Sequence, residues 1–205
     1  MSFGRVGRFL RKCGVWLWRM PRRKGYGVHS PYAYSFIRCV ILERGEYYAY
    51  TTLSLHRECA VWRERDDRLA FRLANFVGAQ TGVIVGVLNP VTQSYLVAGC
   101  HRTRYVNLPL EAAANAVLLE KVDILVCDFY TAGDASVEDF EDLVRRVSDG
   151  AFFCFYGIDR NRRARNCWRK LKELEKVRVT FDLYDIGILC FEQRLARQHY
   201  IVRRW

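Results

Sequence analysis

The sequence lacks several of the features by which whole classes of protein are recognised. No apolar run approaches the roughly 20 residues that span a bilayer, which argues against a transmembrane helix. No two of the eight cysteines lie closer than 13 residues, so there is neither a CxxC pair nor the spacing of zinc ligands. We therefore expect no metal site, and no cysteine has a local partner that would activate it as a nucleophile.

Three of the cysteines, Cys127, Cys154 and Cys190, lie inside apolar runs. A buried, reduced cysteine behaves there as a small hydrophobic side chain. Thiols used in this way are typical of a reducing compartment, so we expect a cytoplasmic protein.

Acidic residues are absent from the start of the chain, since none precedes Glu43. Overall, 33 Lys and Arg stand against 22 Asp and Glu, a net charge of +11, which favours an anionic partner. A second basic cluster comprises Arg160, Arg162, Arg163, Arg165, Arg169, Lys170 and Lys172. Such clusters are either solvated helix faces or contacts for nucleic acid, anionic lipid or a phosphorylated ligand, and charge alone does not choose among them.

The remaining composition predicts one soluble globular domain with a short arm, because 51% of the 205 residues are hydrophobic and 27% are charged. Residues 1–24 form the arm, a basic amphipathic helix and linker, and residues 25–205 form the domain. The helix either packs on the domain or lies on an anionic membrane with Trp16 and Trp18 at the interface. We favour packing on the domain. Its apolar stripe consists of Phe3, Val6, Leu10, Cys13 and Leu17.

From Gly82 onward, short apolar strands alternate with helices. We predict strands at 82–88, 104–108, 122–128, 151–156, 177–183 and 186–192. Helices are predicted before them at 31–42 and 58–77, and between them near 90–99, 109–120, 137–147 and 162–176. This alternation predicts an α/β domain with a doubly wound, mostly parallel sheet between helices and a late antiparallel excursion. Ligands bind such sheets at the carboxyl ends of the strands, where Asn89, Asn107, Asp128 and Tyr156 lie.

Both ends of this domain resemble a known family. Gly25-Tyr-Gly-Val-His-Ser-Pro-Tyr-Ala-Tyr34 and Tyr47-Tyr-Ala-Tyr50 are similar to the opening, and Thr180-Phe-Asp-Leu-Tyr-Asp-Ile-Gly-Ile188 and Gln198-His-Tyr200 to the end, of a bacterial group of class I S-adenosylmethionine-dependent methyltransferases. These are related to small-molecule O-methyltransferases. The resemblance implies a Rossmann-like domain, S-adenosylmethionine as cofactor and methyl transfer to an acceptor that the sequence does not identify. His199, inside the last motif, is expected to be structural.

The chain departs from that family where the cofactor binds. The family's first strand leads into a loop of the form E-x-G-x-x-x-G, whereas this chain has Val85-Gly-Val-Leu-Asn-Pro90, with one glycine and a proline that lacks an N–H. The family's ribose-binding acid falls on Asn107, and its D-D-I-H motif falls on Tyr156-Gly-Ile-Asp159. The resemblance thus makes Gly86, Asn89, Asn107, Asp128 and Tyr156 the candidate cofactor-binding residues. Asp128 alone has the expected type, and it is also placed to cap the following loop.

The middle of the domain is shortened relative to the family. The interval from Leu88 to Val122 has room for one strand, so a strand and a helix are missing and Arg104–Leu108 matches either the second or the third strand of the family. We therefore expect one strand fewer than the family's usual seven. Because Leu88 and Pro90 replace small residues, we also expect the cofactor cleft near 86–89 to be narrowed or refilled.

Three functions remain open at this stage. The first is S-adenosylmethionine-dependent methyl transfer, in which positioning of the acceptor does most of the work. The second is a pseudoenzyme that kept the fold as a binding or scaffolding module, with a small molecule or protein as partner. The third is a nucleic-acid binder. The candidate anion-binding residues are Arg162, Arg163, Arg165, Arg169 and Lys170.

Overall fold

The structure is a computed structural model that describes residues 30–54, 64–113, 121–133 and 135–203. The predicted amino-terminal arm lies outside these residues. The helices are α1 (Pro31–Phe36), continued by a π-helical turn over Ile37–Ile41, α2 (Tyr48–Ser54), α3 (Glu64–Val77), α4 (Pro90–Gly99), α5 (Leu110–Ala113), α6 (Glu138–Arg145) and α7 (Arg162–Leu171). The strands are β1 (Thr81–Val85), β2 (Arg104–Leu108), β3 (Val122–Asp128), β4 (Val147–Tyr156), β5 (Val179–Asp182), β6 (Ile186–Cys190) and β7 (Gln198–Ile201).

The seven strands of the described residues form one sheet, in the order β2-β1-β3-β4-β6-β5-β7. Pairing is parallel for β2–β1, β1–β3, β3–β4 and β5–β7 and antiparallel for β4–β6 and β6–β5. The predicted doubly wound, mostly parallel sheet with a late antiparallel excursion is thus confirmed.

The expected strand count is wrong, because the carboxyl-terminal segment adds a strand. Gln198–Ile201 pairs in parallel with β5, and the ladder continues where Gln198 N donates to Arg178 O at 2.8 Å and Val202 N to Asp182 O at 2.9 Å. These bonds satisfy the outer edge of β5, which would otherwise expose its polar backbone groups. Among the described residues between Leu88 and Val122, β2 is the only strand, as the short interval predicts.

Two hydrophobic layers enclose the sheet. On one face, α1, the π-helical turn, α3 and α4 pack on the side of β3 and β4 that carries Ile124, Val126, Phe152 and Cys154. On the other face, α6 and α7 cover Leu125, Cys127, Phe153 and Phe155. The central strands β3 and β4 are apolar on both sides, as expected where both sides are covered.

Helix starts follow from local chemistry. At α1, Ser30 Oγ accepts from Ala33 N at 3.3 Å and Pro31 occupies the first turn. At α7, Asn161 Oδ1 accepts from Ala164 N at 2.8 Å. Within the described parts of the chain, no helix combines the length and the apolar character needed to cross a membrane.

Candidate functional site

The predicted site lies where β1, β3 and β4 end, and we call this end of the sheet the carboxyl edge. Asp128 of β3 is paired in register with Tyr156 of β4, and Val85 of β1 with Cys127. Gly86, which directly follows β1, therefore lies at the level of Asp128. Three of the five predicted residues are thus brought side by side on neighbouring strands.

Gly86 occupies a conformation that only glycine adopts easily, with φ of +81°. Its N–H donates to Leu108 O at 2.9 Å, which continues the pairing of β1 with β2. A Cβ at Gly86 would lie 3.1 Å from Ala132 Cβ and 3.2 Å from Ala132 Cα. The loop after β1 is therefore in contact with the loop after β3.

A hydrogen bond holds these two loops together. Thr131 Oγ1 donates to Val87 O at 2.7 Å and is also 3.1 Å from Asp128 O. Ala132 N donates to Asp128 O at 2.8 Å, which folds the second loop back over the end of its own strand. The loops after β1 and β3 therefore meet near 86–89, where a narrowed cleft is predicted, and their contact is direct. This contact comes from Thr131 and Ala132, whereas Leu88 packs into the core below.

Asp128 is 2% exposed, and its Oδ1 accepts from Tyr130 N at 2.8 Å. Burial raises the pKa of this carboxyl to about 6, against a backbone hydrogen bond from Tyr130 and the charge of Arg160, which both lower it. The bond to Tyr130 N is an Asx turn, so the side chain caps the loop that follows β3. This geometry supports the capping interpretation of Asp128.

Asn89 is also engaged by its own segment. Its Oδ1 accepts from Val91 N at 2.8 Å, and Pro90 follows in the first turn of α4. The residue is therefore the N-cap of α4. Its acceptor oxygen is used by the backbone of the helix that it starts.

Asn107 lies one residue before the end of β2, opposite Ile84 of β1, and its side chain is exposed. Within residues 30–54, 64–113, 121–133 and 135–203, no hydrogen bond to its amide is found. An exposed carboxamide offers both donors and acceptors. Of the five candidates, Asn107 is therefore the one whose side chain is presented to solvent at the carboxyl edge.

Tyr156 is fully buried in the core between β4 and α3. Its hydroxyl donates to Asp66 O at 3.4 Å. Burial raises the pKa of this phenol well above its usual value, and electrostatic interaction with the nearby Cys154, Asp67 and Asp128 raises it further. The side chain is thus directed into the protein.

The segment after β4 replaces the family's D-D-I-H motif. Gly157 has φ of +75°, and its N–H and that of Ile158 donate to Asp185 O at 2.7 and 3.2 Å. Ile158 is buried, and Asp159 forms an ion pair with Arg165 at 3.2 Å. Through these hydrogen bonds the segment after β4 contacts the turn of the β5–β6 hairpin.

The sequence did not reveal an aromatic–cationic pair at this edge. Tyr130 is 56% exposed, and the guanidinium of Arg160 lies 5.9 Å from the centre of its ring. Arg160 Nη1 also donates to Phe129 O, and a Cβ at Gly157 would approach within 2.9 Å of the Tyr130 ring. Tyr130 and Arg160 are about thirty positions apart in the sequence. The local signal for a close approach is Gly157, the glycine directly after β4.

The five predicted anion-binding residues all lie on α7. Its apolar side chains, Ala164, Cys167, Trp168 and Leu171, are buried against the sheet, so the cations face outward. Arg165 is paired with Asp159, and Lys170 lies 3.5 Å from Glu138. Arg162, Arg163 and Arg169 are exposed. No cluster of three or more His, Cys, Asp or Glu side chains able to hold a metal ion occurs among the described residues.

No family model matches the chain, and no curated protein matches it in sequence. Solved structures match it in fold. Cofactor-bound Rv0187 from MTB superposes with a TM-score of 0.51 at 13% identity, over 70% of this chain and 88% of that one. The O-methyltransferase from Bacillus cereus in complex with SAH superposes with a TM-score of 0.50 at 12% identity, over 76% of this chain and 94% of that one. The chain therefore has the Rossmann-like fold of class I methyltransferases.

Proposed function

We propose that the carboxyl edge binds the adenosyl part of S-adenosylmethionine or S-adenosylhomocysteine, and that methyl transfer has been lost. The chain would then be a nucleoside-binding module on a methyltransferase fold. The contact of Gly86 with Ala132 is the observation that carries this proposal. This contact has different consequences for the two halves of the ligand. It takes up space on the side where the methionine part would bind, and it leaves the end of β2 accessible to the adenosine part.

On the methionine side, the residues present do not fit the cofactor. The glycine loop of the family leaves room for the ligand against the backbone, whereas atoms of Ala132 lie 3.1–3.3 Å from the position that a Cβ on Gly86 would occupy. Pro90 has no N–H to donate, and Val91 N donates to Asn89. The backbone at Pro90 and Val91 therefore offers no unused N–H to the methionine carboxylate.

On the adenosine side, the residues do fit. The exposed amide of Asn107 lies on β2, beside the loop that contains Gly86, where the family places the acid that holds the ribose. A carboxamide donates to one hydroxyl and accepts from another, although it lacks the charge of a carboxylate. We therefore expect recognition of the ribose, with weaker binding than an acid would give.

The side chains at the family's D-D-I-H positions support the loss of methyl transfer. Tyr156 is buried, Gly157 and Ile158 carry no titratable group, and Asp159 is paired with Arg165. A methyltransferase acting on a hydroxyl needs a group placed to receive its proton. The residues that occupy these positions here do not provide one.

Calorimetric titration with S-adenosylhomocysteine tests the proposal. Asn107→Ala removes one or two hydrogen bonds to the ligand and should weaken binding about five-fold or more, whereas Asn107→Asp, with a charged acceptor, should strengthen it. Asn166→Ala, an exposed amide on α7, is the matched control and should leave the affinity unchanged.

Two results would overturn the proposal. One is an affinity that does not respond to the Asn107 substitutions, and the other is the absence of binding at millimolar ligand. Transfer of a labelled methyl group from S-adenosylmethionine to any acceptor would contradict the second half of the proposal, the loss of catalysis.

A further inference from the structure

A second surface of the molecule presents cations in a regular array. We call Arg162, Arg163, Arg165, Arg169 and Lys170 the α7 basic face. At 100° per residue, Arg162 and Arg169 lie along the outward midline of the helix, with Arg163 and Lys170 on one flank and Arg165 on the other. The ten residues of α7 extend about 15 Å, so the cations form a strip rather than a single point of charge.

This strip has the properties of a phosphate-binding surface rather than those of a membrane anchor. The apolar side of α7 is buried in the protein, and its Trp168 is only 4% exposed. An interfacial helix inserts apolar side chains among the lipids, and the outward face of α7 has none to insert. Cations without exposed apolar neighbours fit a polyanion in water.

One end of the strip leads to an exposed aromatic ring. Asn161, the N-cap of α7, directly follows Arg160, whose guanidinium lies 5.9 Å from the ring centre of Tyr130. The bond from Arg160 to Phe129 O holds the guanidinium in place, and Tyr130 is 56% exposed. Aromatic rings beside a cationic groove are the usual stacking platforms for unpaired bases.

We propose that single-stranded nucleic acid binds here, with its phosphates on the α7 basic face and a base against Tyr130. This inference goes beyond the adenosyl site and does not depend on it. A duplex would contact the cations but would keep its bases stacked, so the exposed ring favours a single strand. RNA and DNA share this chemistry.

The charges near Tyr130 determine which part of the strand lies beside the ring. Burial raises the pKa of the Tyr130 phenol, and the nearby carboxyls of Asp185, Asp128 and Asp159 raise it further, against a lowering by Arg160. The ring is therefore neutral at physiological pH. The same carboxyls disfavour a phosphate beside the ring, so a base is expected there and the backbone continues along α7.

Fluorescence anisotropy with the full chain tests this inference, using labelled oligouridylate, oligothymidylate and a hairpin duplex as probes. The triple variant Arg162→Gln, Arg163→Gln, Arg169→Gln removes three charges from the strip. The control triple variant Arg38→Gln, Arg44→Gln, Arg104→Gln removes three exposed charges elsewhere. Tyr130→Ala removes the stacking ring and Tyr130→Phe retains it. Vesicles containing phosphatidylserine serve as the membrane probe.

We expect the α7 triple variant to lower the slope of log K against log salt by about 2, and the control variant to leave it nearly unchanged. Tyr130→Ala should weaken single-strand binding roughly ten-fold, Tyr130→Phe should not, and the duplex should bind more weakly. S-adenosylhomocysteine binding should be the same in both triple variants as in the parent chain, which separates this inference from the proposed function. Equal loss in both triple variants, no response to Tyr130→Ala, or binding to vesicles alone would overturn it.

Discussion

Two aspartates at opposite ends of strand β3, Asp123 and Asp128, have pKa values shifted in opposite directions. Asp128 is 2% exposed and caps its loop through one backbone N–H, so burial dominates and its pKa rises to about 6. Asp123 is also partly buried, but it accepts from Gln80 N and Thr81 N at 2.9 Å and from Ser148 Oγ at 2.6 Å, and these bonds lower its pKa. The balance of burial and hydrogen bonding decides whether ionisation costs stability.

We therefore predict that Asp128→Asn stabilises the fold at pH 7.5. The raised pKa means that the folded state holds its proton more tightly than the unfolded state, so the contribution of this group is lost as pH rises through about 6. Asparagine keeps the oxygen for Tyr130 N and removes the buried charge. The gain should be about 1 kcal/mol at pH 7.5 and should shrink toward pH 5, as measured by urea denaturation.

Asp123→Asn is the control with the opposite sign. Its folded pKa is lowered, so its stabilising contribution is present at neutral pH and is lost as pH falls. A marked loss of stability in Asp128→Asn at pH 7.5 would contradict the expected cost of burying this charge and would indicate a charged partner for this carboxylate.

Among the elements, the loops after β1 and β3 decide what the carboxyl edge can hold. The glycine after β1 turns the chain, as in an open nucleotide site, but the loop after β3 folds back onto it through Thr131 and Ala132. The sequence indicated a degraded glycine loop. It did not indicate the covering residues, because Thr131 and Val87 are 44 positions apart and meet only when β1 and β3 pair.

We predict that loosening this contact changes ligand preference. Thr131→Val removes the hydroxyl that donates to Val87 O at 2.7 Å, whereas Thr131→Ser retains it. The valine variant should lose about 1 kcal/mol of stability and should bind S-adenosylhomocysteine more tightly relative to adenosine, because the methionine half gains room. The serine variant should match the parent chain in both measurements, which are calorimetry and thermal unfolding. A ligand preference that is the same in all three proteins would contradict the role of this bond.

Some elements followed from the sequence and others did not. The strands Arg104–Leu108 and Val122–Asp128 and the start of α7 at Arg162 are found as predicted, since the alternation of short strands with helices marks them along the sequence. The strand β7 and the helix α2 were not predicted. β7 reads Gln-His-Tyr-Ile, four residues without a clean alternation of burial, and its pairing with β5 is a tertiary contact.

At the scale of the whole molecule, β7 adds the seventh strand to a sheet whose expected number of strands was six. Thr180 Oγ1 lies 2.9 Å from His199 Nδ1, and the rings of Phe181 and Tyr200 stack at 5.8 Å. Val202, just beyond the strand, is 2% exposed. The expected structural role of His199 fits this placement, with burial and the charges of Lys172 and Arg197 lowering its pKa.

We predict that a chain ending at Arg197 is less stable by at least about 2 kcal/mol. Without β7 and Val202, the apolar surface that Val202 covers and the backbone edge of β5 become exposed to solvent. The measurement is the urea midpoint at constant slope. His199→Gln is the milder comparison, because it leaves the strand in place. An unchanged midpoint in the shortened chain would show that β7 is not part of the cooperative fold.

The candidate site was predictable in place but not in content. The rule that ligands bind at the carboxyl ends of parallel strands pointed to Asp128 and Tyr156, and the family resemblance added Gly86, which lies beside them. Which side chains face solvent there depends on the helices and loops that cover each strand. Tyr156 is directed toward α3, Asn89 caps α4 and Asn107 remains exposed.

The central claim is that the carboxyl edge accommodates adenosine but not the methionine half of the cofactor. The most direct test compares the affinities of adenosine and S-adenosylhomocysteine for the unmodified full chain by calorimetry at one pH and salt concentration. Our account predicts dissociation constants that agree within about three-fold, because the methionine half finds no room beside Gly86 and Ala132. S-adenosylhomocysteine binding more than about ten-fold tighter than adenosine would contradict it and would restore the site to that of a methyltransferase.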